Sequence, residues 1–129
     1  MGVVRGKTMK VDLDKYVRGW RERLKKEEKR RLEQAKKARI VALQCSRLLV
    51  EKYKVKRVYL FGSLVEGYFR LSSDIDLAVE GLPPDLYFRA LSELWDKSKG
   101  YKVDLIPLEE ADYPDEIKQK GKILYEQKR

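Results

Sequence analysis

The chain of 129 residues contains no histidine and only one cysteine, Cys45. Without histidine, the protein cannot use imidazole for general acid–base chemistry or build a Ser-His-Asp or Cys-His triad, and it lacks the usual ligand of most zinc sites. A single cysteine also excludes an intramolecular disulfide and a CxxC metal site. Any chemistry must therefore rest on carboxylates, lysines, hydroxyls and main-chain amides.

The sequence also lacks asparagine, has one threonine, and has no apolar run near the roughly 20 residues of a membrane-spanning helix. The N-terminus lacks the apolar block that is typical of a signal peptide. These absences predict a soluble, cytoplasmic protein that does not enter a membrane. Avoidance of the thermolabile Asn amide, beside abundant Lys, Arg and Glu, is typical of proteins adapted to heat.

Charge divides the chain into two parts. The net charge is +9, but residues 1–57 hold 20 Lys and Arg against 7 Asp and Glu, whereas residues 58–129 hold 10 against 14. The apolar fraction of 43% is sufficient for a folded core. We therefore expect a basic N-terminal helical segment over residues 1–56, which supplies an interaction arm and the first core helix, and a second domain over residues 57–129.

The basic segment reads as one long helix. Apolar residues recur at helical spacing from Leu13, and no proline occurs between residues 13 and 82. Asp12 or Asp14 is the expected N-cap, and Gly19 is the point where the helix is weakest. Apolar residues become sparse over residues 25–31 and then dense again, which predicts that only the second part of the helix is well buried.

The acidic half alternates between short strand patterns and helix patterns. This order predicts the α+β class, with a small mixed β-sheet of about four strands and flanking helices. The long N-terminal helix precedes this sheet in the sequence. One helix should begin at Pro83–Pro84 and another near Asp115. The predicted strands cover residues 58–61, 73–80, 102–107 and 122–126.

Three aspartates make the acidic half informative. Asp74 and Asp76 lie two residues apart in a strand pattern, so their side chains should share a face about 6–7 Å apart along the chain and repel each other. Neither Lys nor Arg flanks the pair. A divalent cation fits better, and Mg²⁺ binds a few carboxylates together with substrate phosphates. Asp104, in the next strand pattern, would join them if its strand lies beside theirs.

A Gly-Ser pair offers groups that can donate hydrogen bonds to phosphates. Gly62 follows the first strand pattern, where the lack of a Cβ lets main-chain amides approach a ligand closely. Ser63 adds a hydroxyl and is expected to cap the helical turn after it, which would place a helix N-terminus at the anion.

The pattern Gly62-Ser63, ten residues, Asp74-x-Asp76, and then Asp104 resembles the minimal nucleotidyltransferase family of the DNA polymerase beta superfamily. The resemblance covers roughly residues 57–127 and implies a polymerase beta-like fold. It further implies that Asp74 and Asp76 hold two Mg²⁺ ions at the triphosphate of ATP or another NTP. Asp104 would complete one ion's ligands and assist deprotonation of the attacking hydroxyl, and Gly62 and Ser63 would bind the β- and γ-phosphates.

Two positions depart from the family's pattern. Relatives commonly carry basic residues where this chain has Leu64 and Glu66, and a carboxylate near a triphosphate weakens its binding. Arg70 stands where many relatives also have a basic residue and is a candidate phosphate contact, although a solvated loop arginine is the alternative.

The resemblance implies a metal-dependent nucleotidyltransferase that moves AMP from ATP to a hydroxyl acceptor. By analogy, the acceptor is a HEPN-type toxin and this chain is its antitoxin. The alternative is a weak or inactive transferase-like domain that binds a protein or nucleic acid. For the N-terminal helix we expect a second copy of the chain as partner, with nucleic acid as the alternative. The aromatic residues are expected to pack in the core rather than stack on bases: Tyr59, Phe61, Tyr68, Phe88 and Trp95.

Overall fold

The computed structural model describes residues 2–70 and 72–127, with side chains from residue 12 onward. In the described part of the chain, no helix is long and apolar enough to cross a membrane. Short 3₁₀ turns cover Pro84–Leu86 and Leu108–Glu110. The helices and strands are α1 (Gly2–Tyr53), β1 (Arg57–Phe61), α2 (Ser63–Glu66), β2 (Ile75–Glu80), α3 (Tyr87–Lys97), β3 (Val103–Pro107), α4 (Pro114–Lys120) and β4 (Lys122–Glu126).

Helix α1 is longer than the sequence pattern predicted. It begins at Gly2 and continues through Gly19, so the expected N-cap at Asp12 or Asp14 is wrong. No proline interrupts residues 2–13, and nothing there breaks the i→i−4 hydrogen-bond ladder. The chain forms two compact units, Met1–Glu33 and Gln34–Arg129. In the second unit α1 buries one face at helical spacing, through Ala35, Ala38, Val41, Ala42, Cys45, Leu49 and Tyr53.

The four strands form one mixed sheet in the order β3-β2-β1-β4. Strand β1 runs antiparallel to β2 and to β4, whereas β2 and β3 are parallel neighbours. Parallel neighbours need a crossover connection, which the segment containing α3 provides. The predicted α+β class with a small mixed sheet of four strands is therefore confirmed.

The core lies on one face of the sheet, beneath α3 and the part of α1 in the second unit. The fully buried side chains Leu49, Leu77 and Leu94 come from α1, β2 and α3 respectively. Among the described residues, the opposite face carries a smaller apolar cluster, whose buried members are Tyr59, Ala78 and Leu108. That second face is therefore the one on which polar side chains of β2 and β3 can meet a ligand.

Three of the five aromatic residues that we expected in the core are exposed instead. Tyr68, Phe88 and Trp95 have exposed fractions of 57%, 80% and 58%, whereas Tyr59 is buried and Phe61 is partly buried. Trp95 shows why: its Nε1 donates to the main-chain oxygen of Val103 at 3.0 Å, which holds the indole beside edge strand β3 rather than beneath the sheet.

The packing of β2 yields a stability prediction. Ile75 is fully buried, whereas Ile123 on β4 is 49% exposed. We expect Ile75→Val to lower the free energy of unfolding by about 1 kcal/mol, because the lost methyl group leaves a small void. Ile123→Val, the same change on the same sheet, should cost less than about 0.5 kcal/mol. Urea unfolding of both variants measures the difference, and equal effects would contradict this account of the core.

Candidate active site

Two of the predicted aspartates lie side by side on neighbouring strands. Asp76 of β2 is the direct partner of Asp104 in the parallel pairing with β3. Side chains alternate along a strand, so the buried Leu77 and Leu105 place both aspartates on the face away from the main core.

Asp74 comes just before strand β2 rather than within it. The strand begins at Ile75, whose N–H donates to the oxygen of Lys102 at 2.7 Å. The predicted strand start at residue 73 is therefore two residues too early. A turn causes the difference, because the Ser73 N–H donates to the oxygen of Arg70 at 2.9 Å and the Ser73 Oγ accepts from the Arg70 N–H at 3.0 Å.

Gly62 lies against the carboxylate of Asp76. Its backbone has φ +76° and ψ −151°, a conformation that essentially only glycine adopts. A Cβ built on Gly62 would overlap the Oδ2 atom of Asp76. The Gly-Ser turn after β1 and the carboxylate of β2 are therefore in contact, and the absence of a side chain at residue 62 makes room for that carboxylate.

Ser63 is the first residue of the short helix α2, and Gly62 occupies the N-cap. The expectation that Ser63 caps the helix is therefore wrong, since the residue lies inside the first turn. Ser63 is 8% exposed, and its main-chain oxygen accepts from the N–H groups of Gly67 at 3.0 Å and Tyr68 at 3.1 Å. These hydrogen bonds fix the conformation of the turn. Ser63 directly follows Gly62, the residue that lies against the Asp76 carboxylate.

The carboxyl group of Asp76 has an unusual electrostatic environment. Its pKa is raised to about 6, chiefly by burial and then by the negative charges of Asp104 and Asp74. Burial disfavours the charged form, and like charges nearby do the same. A bound cation would counter both effects, because its positive charge favours the ionised carboxylate.

This shift predicts how stability depends on pH without metal. The folded-state pKa of Asp76 lies above its ordinary value of 3.8. The stability that the protonated group contributes is therefore complete below pH 4 and lost as pH rises through 6. We expect Asp76→Asn to gain about 2 kcal/mol over wild type between pH 4 and pH 7, allowing for solvent screening at a half-buried group.

Chemical unfolding in EDTA at pH 4, 5, 6 and 7 measures that difference. Asp104→Asn serves as the comparison, because it removes the neighbouring charge and should lower the pKa of Asp76, which weakens the pH dependence. A difference between wild type and Asp76→Asn that stays constant with pH would refute the assignment.

The donor set suits a hard divalent cation. Carboxylate oxygens are the ligands that Mg²⁺ prefers, and Mg²⁺ fills its remaining positions with water and substrate phosphates. Within the described residues, no three Asp, Glu or Cys side chains are arranged so that they could hold a metal ion as a group. The three-aspartate metal site therefore stays a prediction, and the geometry presents Asp76 beside Asp104, with Asp74 near enough to act on the pKa of Asp76.

A cleft of about 430 Å³ adjoins the Gly-Ser turn. Phe61 and Ile106 lie on the sheet face that carries Asp76 and Asp104, and they line the cleft together with Gly62. The sequence analysis did not identify these apolar residues as part of the site. Side chains alternate along a strand, so Ile106, two residues after Asp104, could have been placed on the same face. Half of the other lining residues are acidic, namely Glu66, Glu110, Asp112 and Glu116; the others are Lys120, Ala111, Tyr113 and Ile117.

The two positions that depart from the family pattern differ in their surroundings. Leu64 is buried in the main core, so it takes no part in the site. Glu66 is exposed, lines the cleft, and accepts a hydrogen bond from the Tyr68 hydroxyl at 3.0 Å. Arg70 is exposed in the turn before β2, and its contact with phosphate stays a prediction.

Comparison with known protein families agrees with this fold. Residues 44–129 match the family model described as Polymerase beta, Nucleotidyltransferase. Two proteins of Methanocaldococcus jannaschii, MJ1379 and MJ1215, are provisionally named protein adenylyltransferases, and each is 42% identical to this chain. The MJ1379 match covers 46% of this chain and 64% of MJ1379, so this chain spans less than two thirds of that relative. The MJ1215 match covers 45% of this chain and 70% of MJ1215.

Solved structures show the same similarity. A chain in the crystal structure of a toxin-antitoxin with AMP-PNP is 26% identical, with a TM-score of 0.55 over 67% of this chain and 74% of the other. A point mutant of the toxin-antitoxin MntA-HpeT contains a chain that is 27% identical, with a TM-score of 0.50 over 70% and 72%.

Proposed function

This chain belongs to the polymerase beta nucleotidyltransferase family, and from that membership we propose that it transfers AMP from ATP to a hydroxyl group of an acceptor. One observation supports the proposal above the others: Gly62 makes room for the Asp76 carboxylate, and Asp104 lies directly opposite Asp76 on β3. The Gly-Ser turn and two of the three aspartates therefore lie together although they are distant in the sequence, which supports the proposed roles in phosphate and metal binding.

Asp74, Asp76 and Asp104 are the residues that would hold magnesium, two ions by resemblance. When bound, Mg²⁺ neutralises the triphosphate and the charge that develops as the phosphate bond breaks. Gly62 and Ser63 would orient the β- and γ-phosphates, with Arg70 as a further contact. The proposed reaction forms a bond between the acceptor oxygen and the α-phosphorus, breaks the bond between the α-phosphorus and the bridging oxygen, and releases pyrophosphate.

The proton of the acceptor hydroxyl goes to a carboxylate on the same sheet face. Asp104 is the proposed base, because it is exposed on β3 beside Asp76 and an entering hydroxyl can reach it from solvent. Asp76, whose pKa is raised to about 6, must be ionised to hold a cation. At Mg²⁺ concentrations below saturation we therefore expect the measured transfer rate to fall as pH drops below about 6, because protons compete with the cation for Asp76.

The proposed acceptor is a HEPN-type toxin, with this chain as its antitoxin. Support comes from the solved structures, two of which are toxin-antitoxin complexes similar to this chain over about two thirds of its length. One of these complexes contains AMP-PNP, an ATP analogue, which agrees with ATP as the proposed donor.

Incubation with ATP labelled in its α-phosphate tests the function. The pure chain is mixed with Mg²⁺ and with the toxin encoded beside it, and label on the toxin is measured. We expect labelled toxin in Mg²⁺, none in EDTA, and none with Asp74→Asn. Label that does not depend on Asp74, or no label on any acceptor, would contradict the proposal.

A second candidate function is binding without catalysis. Glu66 favours it, because a carboxylate lines the cleft beside Gly62 where relatives commonly place a basic residue. Calorimetry with ATP and Mg²⁺ separates the two functions. Binding that is lost in Asp76→Asn supports the transferase, whereas no binding supports a domain that acts by contact alone.

For the N-terminal helix we propose a second copy of the chain as partner, and nucleic acid as the alternative. Nucleic-acid binding through the basic side chains of residues 25–37 would release counterions, so its affinity should fall steeply as salt is raised. An affinity that does not change with salt would exclude that alternative.

A further inference from the structure

The first unit of the chain carries an apolar seam, which we define as Leu13, Val17, Trp20 and Leu24. The exposed fractions of Leu13, Trp20 and Leu24 are 60%, 55% and 46%. The spacing of four, three and four residues is that of the a and d positions of a two-heptad coiled coil. Contiguous exposed apolar surface of this kind marks an interaction site.

The seam lies outside the matched family domain, which begins at residue 44. The seam ends after Leu24, because the next two positions of the same heptad pattern are the charged residues Glu27 and Arg31. Nucleic acid does not suit the seam itself, since phosphates are bound by charged and polar side chains and not by leucine and tryptophan. The occupant must offer an apolar helix of matching length.

From this seam we infer that two copies of the chain pair through α1 in antiparallel order, which gives the proposed self-association a defined geometry. In that order Leu13 faces Leu24 of the second copy, and Val17 faces Trp20. One layer then pairs two leucines and the other pairs a small residue with a large one, which suits close packing. Parallel order would instead place the two Trp20 side chains in one layer and the two Val17 side chains in the next.

Charge favours the same order. Asp14 and Arg21 each follow a seam residue and occupy equivalent e positions of the heptad. In antiparallel coiled coils, e positions of the two helices face each other, so Asp14 of one copy meets Arg21 of the other, and symmetry repeats the pair. Charged residues at these positions set partner choice and orientation. Parallel order would not bring Asp14 and Arg21 together.

Analytical ultracentrifugation of the full chain tests the inference. We expect twice the monomer mass of 15.3 kDa at about 100 μM, where a coiled coil with micromolar affinity is paired. Leu24→Glu should raise the dissociation constant about 100-fold, because it places a charge in the seam. Leu32→Glu is the matched control: Leu32 is 55% exposed on the same helix but off the seam, so this variant should remain paired.

A charge exchange tests the order of the helices. Arg21→Asp should weaken pairing about tenfold by opposing Asp14 of the second copy, and adding Asp14→Arg should restore it to within about threefold. A wild-type chain that remains at 15.3 kDa, or a Leu32→Glu chain that dissociates like Leu24→Glu, would overturn the inference. No recovery in the double variant would overturn the antiparallel order.

AMP transfer measured on the same samples keeps this inference separate from the proposed function. A chain that transfers AMP but sediments as a monomer contradicts only the helix pairing. A dimer without transfer contradicts only the transferase.

Discussion

Asp76→Asn is expected to lower the rate of AMP transfer by about 10³-fold or more, equivalent to about 4 kcal/mol of barrier. The amide keeps the size of the side chain and the contact with Gly62, but it removes the negative charge that the proposed cation needs. The effect should appear in kcat/KM, because the lost charge weakens the binding of Mg²⁺ with ATP as well as the bond-breaking step.

Asp115→Asn is the matched control for this loss. Asp115 lies exposed in the first turn of α4 and is not among the residues that line the cleft, so Asp115→Asn makes the same chemical change outside the cleft. Its transfer rate should stay within about twofold of wild type. Because Asp76→Asn is also expected to stabilise the metal-free chain at neutral pH, a loss of activity in that variant cannot be attributed to unfolding. Transfer by Asp76→Asn near the wild-type rate would remove Asp76 from the proposed mechanism.

Gly62→Ala is expected to lower AMP transfer by at least about 100-fold and the free energy of unfolding by about 2–3 kcal/mol. Two causes act together. The alanine must hold φ at +76°, which is strained, and its Cβ must displace the Asp76 carboxylate that now touches this position. A displacement of an ångström at a reacting centre is sufficient for a loss of this size.

Gly67→Ala separates the two causes. Gly67 has φ +92° in the left-handed region, so alanine is strained there as well, but a Cβ built on it has no neighbouring atom within 4 Å. We expect Gly67→Ala to be destabilised by about 1–2 kcal/mol while its transfer rate stays within about threefold of wild type. If both variants lose activity equally, strain of the turn is the cause and the contact with Asp76 is not.

Parts of the fold and the site could be predicted from local pattern. The strand pattern over residues 73–80 indicates that Ile75, Leu77 and Val79 share one face and Asp76 lies on the other, because side chains of a strand alternate whatever the rest of the fold. The type and order of the strands and helices also followed from periodicity, to within a few residues at their ends.

Other parts could not be predicted locally. Tyr68, Phe88 and Trp95 are exposed although their type favours burial. Trp95 donates to the main-chain oxygen of Val103 and Tyr68 donates to Glu66, contacts that only the folded chain provides. The predicted start of α1 was also wrong. The helix continues in the N-terminal direction as long as its backbone hydrogen bonds are unbroken, and a residue that can act as an N-cap does not by itself stop it.

By itself, the sequence determined which chemistry is open to this protein: without histidine and with one cysteine, carboxylates and main-chain amides are what remain, and their spacing led to the nucleotidyltransferase family. Only the tertiary structure decided that Asp104 faces Asp76 and that Gly62 makes room for the Asp76 carboxylate. The reason is physical. Residue types and periodicity act over a few neighbours, whereas the parallel pairing of β2 with β3 and the approach of the turn after β1 depend on the packing of the whole sheet.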